Sequence, residues 1–159
     1  MNTLRIRTPC IGICSTTYGG DVCRGCKRFA HEIIDWNRYS EEQKQLVWDR
    51  LTRLTVEVVA PRLAIHDEAL MVQTLRSLGV RQHLDQHAAF GAMELLRALG
   101  HQRVDLNHFG VAVMPAWELL APGELYREIN DELFTRAEAW HDLYHGRARR
   151  ILLNWDNGD

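Results

Sequence analysis

The chain has 159 residues, of which 46% are hydrophobic and 25% charged, and its formal net charge is −2. That length suits one domain, or a small module joined to one, and it can bury a core without help from disulfides. The near-neutral balance excludes a global field that would gather nucleic acid or an anionic membrane surface. The charge is uneven, with six basic and three acidic residues in positions 1–38 and thirteen against eighteen in the rest. No run approaches the ~20 apolar residues that span a bilayer. The longest, Phe109 to Gly123, is interrupted by Pro115, Glu118 and Pro122. "MNTLRIRTPC" carries no apolar core with a small-residue cleavage site, so the expected location is cytoplasmic, where thiols stay reduced.

The first element is a cysteine segment. All four cysteines, Cys10, Cys14, Cys23 and Cys26, fall within 17 residues, and the 133 positions after Cys26 hold none. A reducing compartment argues against two disulfides. The intervening glycine, threonine and charged residues argue against four core cysteines. A single tetrathiolate metal site fits the spacing, since two chelating loops joined by a short connector can bring four sulfurs onto one centre. Gly12 in "CIGIC" and Gly25 in "CRGC" allow tight turns and let backbone N–H groups approach sulfur. "YGGD", Tyr18 to Asp21, supplies a reversal between the pairs. Arg24, Lys27 and Arg28 flank the second pair and offset thiolate charge. Both zinc and iron–sulfur clusters take four thiolates. The eight-residue connector is shorter than the roughly 15–20 of a zinc ribbon, which moves the reading towards iron.

Helices are expected beyond it. Ser40 with Gln43 forms a capping box, and Val47, Leu51, Leu54 and Val58 follow at helical spacing until Pro61. A second helix is expected over Arg62 to Leu78, with Leu75 and Leu78 on one face and Gly79 as its stop. A third is expected over Gln82 to Leu99, with Ala88, Ala92, Leu95 and Leu99 aligned, Met93 and Leu96 beside them, and Gly100 following. His101 to Trp117 is irregular, and "FGVAVM" suits a short strand, a buried loop or a helix start. A fourth helix begins near Pro122. Its stripe is Tyr126, Ile129, Leu133, Ala137, Trp140 and Tyr144, with Gly146 closing it, and "RARRILLNW" adds one or two turns. The expected fold class is mainly α: a four-cysteine metal knuckle followed by a bundle of four or five helices. The expected domains are 1–58, binding metal, and 59–159, helical. Trp36 and Trp48 are expected to pack between them, the alternative being exposed base-stacking aromatics.

Pro9 to Leu51 resembles the YdhL-like family of short bacterial domains of unknown function, often described as predicted iron–sulfur proteins. The shared pattern is P-C-x-G-x-C, then C-x-G-C, then I-x-x-W, then a helix opened by Ser with Gln and Lys. Pro9, Cys10, Gly12, Cys14, Cys23, Gly25, Cys26, Ile33, Trp36, Ser40, Gln43 and Lys44 carry it here. The resemblance implies a metal site on the four cysteines. It covers 43 residues and implies no reaction.

The histidines invite an enzymatic reading. His83/His87 and His141/His145 are each four apart, a spacing that shares a helix face. Leu84 and Asp142 stand where H-E-x-x-H needs glutamate. Glu138 to His141 matches one Glu-x-x-His of a di-iron bundle, and no second is present. Nucleophile elbows and phosphate loops are absent. Three readings follow. The first is an iron–sulfur protein acting in electron transfer, redox or iron sensing, or as an accessory to a partner protein. The second is a structural-zinc module binding protein, or nucleic acid through Arg24, Lys27 and Arg28. The third is an unrecognised enzyme site drawing on His83, His87, Glu138, His141 and His145.

Overall fold

A computed structural model describes residues 5–16, 19–81 and 83–146. The expected turn at Tyr18, the helix start at Gln82 and the tail after Gly146 fall wholly or partly outside these residues. Among the described residues are five α-helices and one two-stranded sheet: α1 Ala30–Asp35, α2 Glu41–Val59, β1 Leu63–Ile65, α3 Glu68–Ser77, α4 Ala88–Leu99, β2 Val111–Val113 and α5 Pro122–His141. The fold is mainly α, as expected. No helix among the described residues is long and apolar enough to cross a membrane. Chain contacts group the residues into two units, 1–47 with 134–159, and 48–133. The expected boundary at residue 58 lies inside the second.

In unit 48–133 a continuous apolar core forms. Val58 from α2, Met71 and Leu75 from α3, Leu95 and Leu96 from α4, Val111 from β2 and Ile129 from α5 have almost no exposure. Each large side chain so buried contributes about 1.5–3 kcal/mol. Arg62 is the exception to this apolar interior. Its guanidinium donates to the Val58 carbonyl at 2.8 Å, pairs with Glu132 and lies 4.5 Å from the Trp117 ring centre. In α4 the buried Glu94 carboxylate is answered by Arg97 one turn on. Burial and that carboxylate together raise the Tyr126 phenol above its usual range.

Three expectations change here. The helix expected from Arg62 is a strand followed by a helix. Leu63, Ala64 and Ile65 pair antiparallel with Val113, Ala112 and Val111, and Asp67 caps α3 by accepting from the Leu70 N–H at 3.0 Å. Gly110 makes this corner. Its carbonyl accepts the N–H groups of His66 and Asp67, its φ is +83°, and a Cβ there would sit 2.1 Å from the Asp67 carbonyl oxygen. The third helix starts at Ala88 because the His87 imidazole accepts the Ala89 N–H at 3.1 Å, an N-cap role. Leu78, assigned to the core face, is 49% exposed beyond the end of α3.

Unit 1–47 with 134–159 is built on short elements. Phe29 bridges to Val22, α1 follows, and the Glu32 carboxylate accepts the Phe29 N–H at 2.8 Å, closing the first turn. Ser40 opens α2 with both arms of its capping box: the Ser40 N–H donates to Gln43 Oε1 at 2.9 Å, and the Gln43 N–H to Ser40 Oγ at 3.2 Å. The α5 stripe buries Ala137, but Trp140 and Tyr144 are exposed and stack on each other. Beyond α5 the chain widens into a π-helical turn, Asp142–Gly146.

Candidate metal centre

Cys23 and Cys26 stand on a tight turn. Below it, Val22 pairs with Phe29, the Cys23 N–H donates to the Arg28 carbonyl at 2.9 Å, and the Lys27 N–H returns to the Cys23 carbonyl at 2.8 Å. This closure places Lys27 at φ +62°, a conformation that costs an L-residue about 1–2 kcal/mol. The Lys27 ammonium offsets part of that by donating to the Gly25 carbonyl at 2.9 Å. Gly25 is required by close approach. A Cβ there would lie 2.4 Å from the Ile13 carbonyl oxygen and 3.2 Å from Ile11 Cγ1. The loop between Cys10 and Cys14 therefore rests directly on the turn between Cys23 and Cys26. Arg24 fastens the two together, its N–H donating to Ser15 Oγ at 2.8 Å.

The two sulfurs of this turn share a proton. The Cys26 thiol donates to Cys23, and the backbone N–H groups of Ser15, Cys26 and Gly25 add to it, so Cys23 is held down to about 4 although burial opposes the charge. When protonated, Cys23 donates instead to the Ile13 carbonyl at 3.4 Å. Cys26 is pushed up, because Cys23 and burial hold its proton more strongly than Arg28 opposes it. Arg28 is buried, donates from Nε to Cys26 Sγ at 3.3 Å, and stacks 5.0 Å from the Trp36 ring centre. The turn thus holds one thiolate, Cys23, beside one thiol, Cys26, with the Arg28 guanidinium set against the second sulfur.

The first pair is arranged differently. Cys10 Sγ accepts the Gly12 N–H at 3.3 Å, and the exposed Cys14 Sγ lies 3.2 Å from Thr16 Oγ1. All four thiols are free. Among the described residues, which include all four cysteines, no three His, Cys, Asp or Glu side chains gather closely enough to hold a metal ion. In this arrangement Cys10 and Cys14 make their contacts within their own loop rather than with the Cys23–Cys26 turn.

Of the flanking cations, Arg28 meets the expectation by donating to the Cys26 sulfur. Lys27 and Arg28 are buried in the turn, and only Arg24 is exposed, its guanidinium 4.2 Å above the Phe134 ring. Trp36 and Trp48 are both buried, Trp36 beside Arg28 and Lys44, and Trp48 edge-on to His83 and Phe90. His83 and His87 precede α4 and share no helix face. His83 has φ +58° in the turn, and His87 is the cap. Glu138 is exposed on α5. His141 and His145 do come together, with ring centres 5.3 Å apart, and His31 joins them, 5.0 Å from His145. His31 lies more than a hundred residues away in sequence, beyond the reach of any four-residue helical spacing.

The class of the cysteine segment follows from comparison with known proteins. Residues 8–55 match a family described as "Protein of unknown function (DUF1289)", which covers both cysteine pairs, α1 and most of α2. Among individual relatives, the uncharacterized protein YdhL of Escherichia coli (strain K12) is 43% identical over 42 residues, 26% of this chain and 52% of that protein. YdhL of Shigella flexneri matches to the same extent. The chain thus spans about half the length of the curated relatives it matches. The YdhL-like resemblance of this segment is established, and it brings no activity with it. No solved structure matches.

Proposed function

We propose that the cysteine segment is a tetrathiolate metal-binding module, with an iron–sulfur cluster as its first reading and zinc as the alternative. One observation carries this. N–H donors already meet a sulfur of each pair: the buried Arg28 guanidinium lies 3.3 Å from Cys26 Sγ, and the Gly12 N–H donates to Cys10 Sγ at 3.3 Å. Such donors stabilise thiolate bound to metal and tune its potential. The donor set fits the group in two halves. Cys23 and Cys26 form the ready half. Cys10 and Cys14 flank the loop that lies on Gly25, so their closure needs side-chain and loop adjustment within one small region.

A cluster bound there supplies one-electron chemistry, and four protein ligands leave no iron open to substrate. The role this supports is electron transfer, redox or iron sensing, or service to a partner protein. A nucleic-acid version draws less support, because one of its three basic residues is exposed. Elemental analysis with a visible spectrum, on protein purified without oxygen, tests the reading. Iron with acid-labile sulfide supports the cluster, and one colourless zinc per chain supports the alternative. A Cys23→Ser protein that keeps full metal content overturns both.

A further inference from the structure

Three histidines surround Phe29 and take no part in the thiolate site. His31 lies near the start of α1, His141 is the last residue of α5, and His145 sits in the π-helical turn. The Phe29 ring centre is 5.1 Å from His141, 5.3 Å from His145 and 5.9 Å from His31. His145 in turn is 5.0 Å from His31 and 5.3 Å from His141. His31 and His145 are exposed and His141 half-buried, so ions from solution reach the rings.

We propose that His31, His141 and His145 form a second metal site, a three-imidazole centre for a borderline divalent cation such as zinc. The spacing supports it. A zinc–nitrogen bond of ~2.0–2.1 Å puts an imidazole centre about 3.2 Å from the metal, and a tetrahedral angle then separates two such centres by about 5.2 Å. His31–His145 at 5.0 Å and His141–His145 at 5.3 Å bracket that value, with His145 between the other two rings, which are not in contact with each other. The nitrogens do not face one point in this arrangement, consistent with the absence of any gathered trio among the described residues. Binding therefore requires the His31 and His141 rings to turn towards each other beside His145.

Two further features agree. Asp142 Oδ1 lies 3.9 Å from His141 Nδ1, where a small rotation makes it the acceptor that fixes the tautomer and leaves Nε2 to the metal. The π-helical turn holds the His141 and His145 planes within 32° of each other, and such turns recur at functional sites. An all-imidazole set selects zinc, copper or nickel over calcium and magnesium.

The test is a zinc titration of the full-length, nitrogen-15-labelled protein, following histidine ring nitrogens by NMR. Imidazole signals do not report zinc taken up by thiolates, so this reading stands or falls apart from the cysteine module. The ring nitrogens of His31, His141 and His145 are expected to shift together, while those of His66, His83, His87, His101 and His108 stay. His31→Ala and His145→Ala are each expected to weaken this zinc at least tenfold with unchanged circular dichroism, and His66→Ala to leave it unaltered. Unmoved His31 nitrogens on saturation, or wild-type affinity in both alanine variants, overturn the proposal.

Discussion

Replacing Gly25 by alanine isolates the contact between the two cysteine loops. The backbone at Gly25 is not left-handed, so the added methyl acts through space alone. It would lie 2.4 Å from the Ile13 carbonyl oxygen, where ordinary contact begins near 3.4 Å. The Ile11–Ile13 strand of loop must retreat by about 1 Å, and the obstacle is backbone rather than a flexible side-chain end. Overpacking costs about 1–3 kcal/mol, and a backbone obstacle places this case at about 2–3. With a urea slope of about 2 kcal/mol per molar, the midpoint falls by about 1–1.5 M. The assay is urea titration followed at the Cys23 and Lys27 amides, whose N–H groups are bonded inside the turn. Metal content is expected to fall in parallel, because Cys10 and Cys14 ride on the displaced loop. Gly20→Ala is the control, since among the described residues its methyl meets only the Val22 carbonyl, at 3.7 Å. A Gly25→Ala midpoint equal to that of Gly20→Ala refutes the reasoning.

Three other outcomes follow. Ser40→Ala removes the acceptor for the Gln43 N–H and is expected to cost about 1 kcal/mol in urea unfolding. Glu132→Gln leaves the Arg62 guanidinium buried without its counter-charge. The expected loss is about 2–3 kcal/mol, below the 3–5 of a fully buried pair because Glu132 is 29% exposed. The metal-free chain is expected to gain stability with rising pH. Cys23 is held down to about 4 against 9.0 for an ordinary thiol, so between these values the unfolded chain binds more protons than the native one. That contribution is complete above pH 9.0 and lost as pH falls through about 4, while the raised Cys26 reverses the trend above 9.0. Unfolding midpoints at about pH 5 and about pH 8 check this, and the rise is expected to disappear in Cys23→Ser.

Where local chemistry decided the structure, the sequence was legible. Ser40 with Gln43 named the start of α2 because both hydrogen bonds of that cap lie within four residues. Pro122 named the start of α5 for the same kind of reason. Leu63 to Ile65 resisted, since its partner strand begins 46 residues beyond its end and three residues carry too little periodicity. His87 resisted because capping by an imidazole is indistinguishable in a sequence from a helix-face histidine. The thiol cluster was visible as composition. Its geometry was not, because the contact between Gly25 and Ile13 depends on a backbone path that no side chain announces. Lys27 and Arg28 looked like surface charge, yet their polar ends are used by the turn itself. The histidine trio needed tertiary structure, as one member comes from α1, one from the end of α5 and one from the π-helical turn after it.

The division of the chain also sets an order of events during synthesis. The cysteine segment leaves the ribosome early, but Phe134 beneath Arg24 and His141 against Phe29 come from residues made more than a hundred positions later. At about 5–20 residues per second, the thiols wait about 5–20 s for the rest of their unit. The intervening unit, continuous over residues 48–133, is complete before that. Nascent Cys10 to Cys26 thus meets metal and oxidant while its own unit is unfinished, so uptake by the proposed metal module on the ribosome and uptake after release are kinetically separate routes.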